Sequence, residues 1–322
     1  MGRERIIEFL GDDWVRMQEY LKSGLGTDVP LLSEINGGIL AHPGKMLRPM
    51  TALLLGRACG GTTEATVRYA AVSEMLHNAT LMHDDVADES PQRRGRPTLR
   101  SLIGPNSAVL VGDFWLAKSV DLMVRDHIDQ KVVEAYSRTL VHLAEGEMLQ
   151  MQMAESGLTG EQEYYRIIYC KTASLFESVG YSAAVSTGAP EEYVRAAVAY
   201  SKALGMAFQI KDDILDYCGE MTGKPVGADL KERKITLPLL GAMKNVPGQE
   251  SRIREMVRQA QDHPGYCSEI HAFVMDNGGI EYASRELGKF IAEAVSALGA
   301  LPGREAAGML AEIAEYNAVR DL

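Results

Sequence analysis

The chain has 322 residues, 46% of them apolar and 24% charged, enough for one large domain or two ordinary ones. A formal net charge of −11 and an isoelectric point near 5.2 exclude a nucleic-acid-tracking surface, which is basic overall, so an anionic ligand has to be held by local cations or by metal. The opening MGRERIIEFLGDDW lacks a signal-peptide core, no apolar run reaches the ~20 residues of a membrane span, and Cys59, Cys170, Cys218 and Cys267 have neither zinc nor disulfide-framework spacing; a cytoplasmic protein with reduced thiols is expected.

The first notable segment is HPGKMLRPM, where Lys45 and Arg48 stand three apart between a Pro-Gly turn and an apolar helix. Alone, such a pair is more often a surface feature. Thr63–Met82 carries apolar residues at three- and four-residue steps (Val67, Ala70, Ala71, Met75) and no Gly or Pro, which predicts a helix. It runs into HDDVADESPQRRGRP, an acidic block of Asp84, Asp85 and Asp88 followed by Arg93 and Arg94. Asn106–Arg125 and Lys131–Ala154 read as further helices; the Met-rich run Met148–Met153 reads as core filling rather than tunnel lining. A Thr159-x-x-Gln162 capping box predicts a helix over Tyr164–Ser186, with Lys171 and Thr172 in its middle. Pro190 and two glutamates open a helix running toward Asp216. It ends in a second cluster, Asp212, Asp213 and Asp216. The segment TGKPVGADLKERK follows, where Gly223 and Gly227 predict a loop able to fold over a charged ligand and Lys224 and Lys234 supply cations. Gly104-Pro105, Pro247-Gly248 and Pro302-Gly303 mark short loops. Nothing resembles a linker, so the expectation is a single all-α domain over residues 1–322.

The two DDxxD clusters carry the chemistry. Asp84 and Asp88 share a helix face, as do Asp212 and Asp216, and like charges at that spacing repel. One such cluster reads equally well as a solvated helix end. Two, each ending a strongly apolar helix (NATLMHDD, GMAFQIKDD), read as aimed at an interior. Oxygen ligands without Cys or clustered His favour a hard cation, foremost Mg²⁺, which uses one or two carboxylates together with water and substrate phosphates. A phosphate-bearing ligand follows, and the forks of Arg93 and Arg94 suit it. His77, two helical turns before Asp84, falls at the rim of such a site.

In order along the chain, GKMLRP, HDDVADESPQRRGRPT, VGDFWLAKS, AEGEMLQ, IYCKTASLFE, FQIKDDILDY and GKPVGADLKERKITLPLL resemble the trans-isoprenyl diphosphate synthases, specifically the all-trans polyprenyl, long-chain branch. One departure is Pro43-Gly44, where that family usually has Gly-Gly before the lysine. The resemblance implies an isoprenoid-synthase helical bundle around a central apolar cavity. It implies Mg²⁺, three ions with substrate bound, held by Asp84, Asp88 and Asp212, with Asp85, Asp213 and Asp216 supporting them. Arg93, Lys171 and Lys234, joined by Thr172, Gln209 and Lys224, would grip an allylic diphosphate. Lys45, Arg48, His77 and Arg94 would bind isopentenyl diphosphate. The implied reaction is ionisation, condensation and elimination, in which fixed cations stabilise the departing diphosphate and a dry pocket protects the allylic cation. A homodimer and transient contact of the product end with a membrane surface are implied as well.

Ala79 and Thr80, five and four residues before Asp84, are small where a large aromatic would floor the pocket, so a product of about thirty carbons or more is expected; Met75, Met123 and Trp115 are candidate floors. The competing readings are a short-chain synthase, an HD-type phosphohydrolase using His77 and His83-Asp84, a terpene cyclase, and a non-catalytic partner subunit. The hydrolase reading leaves the second aspartate cluster unexplained, a cyclase would carry an Asn/Ser/Glu metal motif there, and a non-catalytic subunit would tend to lose the clusters.

Overall fold

The computed structural model describes residues 2–93, 95–125, 129–218 and 227–320. In chain order the helices are α1 (Arg3–Leu10), α2 (Asp12–Gly24), α3 (Pro30–Leu40), α4 (Leu47–Ala58), α5 (Glu64–Ala87), α6 (Leu99–Ile103), α7 (Pro105–Val124), α8 (Gln130–Ser156), α9 (Glu161–Ile168), α10 (Ser174–Ser186), α11 (Glu191–Tyr217), α12 (Ala228–Lys231), α13 (Leu237–Asn245), α14 (Glu250–Arg258), α15 (Gly265–Asp276), α16 (Gly279–Ala297) and α17 (Arg304–Val319). A two-residue antiparallel ribbon, β1 (Gln92–Arg93) with β2 (Arg96–Pro97), is the only strand pairing among the described residues.

Helix α5 is buried on nearly every side from Thr66 to Leu76, as befits a central helix. Thr63 and Thr66 start it by capping each other's backbone N–H groups at 3.2 and 3.1 Å. Pro190 precedes α11, and Glu191 and Glu192 in its first turn complement the helix dipole. The first half of α11 (Val194 to Leu204) packs in the larger apolar core with α2, α4, α5, α7 and α10. Its second half (Met206 to Tyr217) packs in a smaller core with α9, α13, α15 and α16. One helix thus joins both cores and delivers its last turn between them.

Buried polar clasps fix the outer layers. The Trp115 indole donates to Asn36 Oδ1 at 2.9 Å, and the Asn36 amide donates to the Leu25 carbonyl at 3.0 Å. Asp13 accepts from Arg57 Nη2 at 2.8 Å, Thr62 at 2.7 Å and Arg16 at 2.7 Å, tying α2 to α4.

Three expectations need correction. The cap lies one residue later and is only half of a box: the Gly160 N–H donates to Glu163 Oε2 at 3.1 Å, Gly160 has no side chain to answer it, and α9 starts at Glu161. The helix expected over Tyr164–Ser186 is interrupted by a π-turn at Tyr169–Ala173. Met148 and Met151 are 65% and 56% exposed, so they fill no core.

Candidate active site

The last turn of α5 carries Asp84 and Asp85, and Asp88 closes it with an N–H bond to the Asp84 carbonyl at 2.8 Å. Asp85 is buried and accepts from Arg93 Nε at 2.7 Å. Arg93 stands on the ribbon, whose turn uses Gly95 at φ 73; Arg94 lies outside the described residues. Burial pushes the Asp84 carboxyl up to about 6; the charges of Lys171 and Arg93 oppose the rise, and those of Glu147 and Asp88 add to it. The adjacent His83 packs on Gly112, where a β-carbon would sit 2.4 Å from its Nε2.

The second cluster ends α11. Asp213 is buried, and it accepts from the Tyr164 hydroxyl at 2.6 Å and from Gln209 Nε2 at 2.9 Å. Thr172 completes the chain by donating to Gln209 Oε1 at 2.7 Å. Burial, then the charge of Asp229, drives the Asp213 carboxyl well above the usual carboxylate range. Asp216 Oδ2 accepts from the Asp229 N–H at 3.3 Å. Asp212 Oδ1 is paired with Arg320 at 2.5 Å. Lys224 lies outside the described residues.

The π-turn carries Lys171 and Thr172. Such turns wind in an extra residue and recur at functional sites. Two glycines admit it. A β-carbon at Gly146 on α8 would meet Cys170 Cβ at 2.6 Å, and one at Gly205 on α11 would meet Ala173 Cα at 2.6 Å. Lys171 pairs with Glu147, the neighbour of Gly146, and Lys234 pairs with Glu232.

On the other side, Lys45 is exposed and Arg48 is buried with its guanidinium 4.5 Å above the Phe176 ring. His77 and Thr80 are half-buried, Thr80 donating to the His77 carbonyl at 2.9 Å, and Ala79 is buried. Trp115, Met75 and Met123 are all buried. The chain holds three non-glycine residues with left-handed backbone among those described, Met46, Glu89 and Arg233, and they adjoin Lys45, Asp88 and Lys234.

Two lysines link the first cluster to Asp229 electrostatically. Lys171 acts on Asp84 and on Asp229, while Lys234 feels Asp229 and Asp88 and has its pKa raised despite burial. Asp229 itself is pushed up to about 7, mainly by burial and then by the charge of Asp216. Beside them a cavity of about 140 Å³ is lined by Gln150, Met153, Tyr164, Ile168, Lys171, Asp213 and other residues. Among the described residues no three acidic, His or Cys side chains close around a point as a complete metal cage.

Comparison with known proteins decides the family. The profile of the Polyprenyl synthetase family matches residues 29–274. The chain belongs to that family. Among polyprenyl synthetase relatives, the all-trans-nonaprenyl-diphosphate synthase (geranyl-diphosphate specific) of Rhodobacter capsulatus is 37% identical over 93% of this chain and 92% of its own. The octaprenyl diphosphate synthase of Escherichia coli (strain K12) is 37% identical over 98% of both chains. The crystal structure of a polyprenyl synthase from Caulobacter crescentus CB15, complexed with calcium and isoprenyl diphosphate, has a TM-score of 0.91 at 30% identity, covering 100% of this chain and 98% of that one. A decaprenyl diphosphate synthase from Rhodobacter capsulatus also scores 0.91, at 34% identity, covering 99% and 100%.

As a polyprenyl synthetase the chain is a trans-prenyltransferase that condenses an allylic diphosphate with isopentenyl diphosphate. Glu147, Tyr164, Asp229 and Arg320 were not singled out in the sequence reading. Glu147 and Asp229 stood inside quoted motifs, AEGEMLQ and GADLKERK; Tyr164 and Arg320 carry no local signal, because fold alone brings them to the clusters.

Proposed function

We propose that this single domain over residues 1–322 makes a long-chain all-trans polyprenyl diphosphate, of about thirty carbons or more, using Mg²⁺ held by Asp84, Asp88 and Asp212. The observation that carries the reading is the placement of Lys171 and Lys234, each in the field of the first cluster (Asp84 or Asp88) and of Asp229, whose N–H donates to Asp216 of the second cluster. A diphosphate lying between the ends would meet these cations with Arg93, Thr172 and Gln209. Lys45, Arg48, His77 and Arg94 would take isopentenyl diphosphate, and Lys224 the allylic head. Bound Mg²⁺, three ions in the full complex, supplies the charge that stabilises the leaving diphosphate. Lys171, Lys234 and Arg93 must exchange their internal partners Glu147, Glu232 and Asp85 for phosphate oxygens, which keeps these cations neutralised until substrate arrives. Asp85, Asp213 and Asp216 back the metal-facing carboxylates.

The small side chains at Ala79 and Thr80 support the long product, leaving the path below Asp84 without an aromatic stop. A homodimer is part of the same reading. Helix α7 leaves Leu110 69% exposed along with Val109, Val120 and Val124, and α8 leaves Val141, Met148 and Met151 in solvent, which a second copy would cover. No helix among the described residues is long and apolar enough to cross a membrane; the enzyme would work in the cytoplasm and meet a membrane surface when it releases product.

Purified protein given Mg²⁺, farnesyl diphosphate and isopentenyl diphosphate is expected to release inorganic diphosphate and to form longer prenyl diphosphates, sized by chromatography. Hydrolysis of a phosphate ester without elongation would overturn this reading.

A further inference from the structure

We propose that Arg320 is a positioning residue for Asp212, fixing one carboxylate oxygen so that the other is aimed into the site. The inference rests on reading Asp212 as a metal-facing carboxylate. Arg320 follows α17 and is 6% exposed, whereas the Asp212 side chain is 42% exposed. The contact therefore reaches Asp212 from its protein side and leaves its outer side open.

The guanidinium is held by other groups as well. Nη2 reaches Asp212 Oδ1 at 2.5 Å and the Phe208 carbonyl at 3.2 Å, Nε donates to Asn317 Oδ1 at 2.8 Å, and the guanidinium carbon lies 4.4 Å from the Phe208 ring centre. Asn317 is itself buried. A planar, permanently charged fork clamped in this way cannot drift or lose its charge. Its partner carboxylate then loses the freedom to rotate about its terminal bond. Outer groups that orient a ligating carboxylate typically account for about 10- to 100-fold in metal affinity. Phe208 and Asp212 lie four residues apart on α11, so a single side chain from the residue that ends α17 braces one face of the turn that presents the cluster.

The test uses the full chain with inorganic pyrophosphate and Mg²⁺, followed by calorimetry, beside Arg320→Met, Arg320→Lys and Asp212→Asn. Wild type is expected to bind magnesium pyrophosphate and Asp212→Asn to bind it far more weakly. Arg320→Met is expected to bind about 10- to 100-fold more weakly than wild type and to need correspondingly more Mg²⁺ for half-maximal activity. Its KM for both substrates at saturating Mg²⁺ should be unchanged, and Arg320→Lys should recover part of the loss. Should Arg320→Met fail to fold, a weakened, Mg²⁺-rescued Arg320→Lys carries the test. Arg320→Met binding as tightly as wild type, or a defect that saturating Mg²⁺ and lysine both fail to repair, would overturn the role of Arg320 while leaving the aspartates in place. Wild type that ignores magnesium pyrophosphate would overturn the metal reading itself.

Discussion

The Tyr164 hydroxyl donates to Asp213 Oδ2 at 2.6 Å, so a side chain of α9 satisfies a fully interior carboxylate on α11. Removing that donor leaves a buried oxygen without a partner, at a cost of about 1–3 kcal/mol. Tyr164→Phe is expected to lower the urea midpoint by a corresponding amount. An unchanged midpoint would mean that the cavity beside Asp213 supplies a substitute donor.

Asp84 links stability to pH. Its carboxyl sits at about 6 against an ordinary 3.8, raised chiefly by burial, so the folded state holds the proton more tightly than the unfolded chain. The stabilising contribution is full below the ordinary value and is lost as pH rises through about 6. Asp84→Asn removes the ionisable group. In EDTA it is expected to melt above wild type at pH 7.5 and alongside it near pH 4; in Mg²⁺ it is expected to lose the elongation that wild type retains. A variant that melts lower at pH 7.5 would refute the buried-charge account.

Chain length is tested at Ala79 and Thr80. Tyrosine at the buried position 79 is expected to shorten the product, with an overpacking cost of about 1–3 kcal/mol. Thr80→Phe, at a half-buried position, is expected to shorten it with less loss of stability. Chromatography of the product decides; wild-type lengths from both variants would place the growing chain elsewhere.

The two close-approach glycines make a further comparison. At Gly205 a β-carbon would meet the backbone of Ala173 at 2.6 Å, and at Gly146 it would meet Cys170 and Lys171, whereas at Gly288 on α16 it meets nothing within 4 Å. Alanine at 205 or 146 is therefore expected to cost about 1–3 kcal/mol and to raise KM for the allylic substrate more than for isopentenyl diphosphate. Alanine at 288 is expected to stabilise by about 0.5–1 kcal/mol. Equal effects at the three positions in urea melts and steady-state kinetics would contradict the role given to the π-turn.

Much of this was legible before any coordinates. The aspartate clusters end their helices as the apolar runs before them imply, but only Asp85 and Asp213 are buried, while Asp88 is exposed. The π-turn was not legible: Tyr164–Ser186 has helical composition throughout, and the room for the extra residue is left by glycines on two other helices. Nor was the pairing of Arg320 with Asp212, which are 108 residues apart. Met148 and Met151 misled because thioether side chains suit a core and a contact surface equally well.

Met46, Glu89 and Arg233 hold left-handed backbone at φ 54, 51 and 58, a geometry in which glycine or asparagine is more comfortable. A variant library sorted for heat tolerance alone would drift toward those two residues at all three positions. Each gain in robustness would then be drawn from a strained turn beside Lys45, Asp88 or Lys234, and glycine there would loosen the backbone next to the site's charged groups.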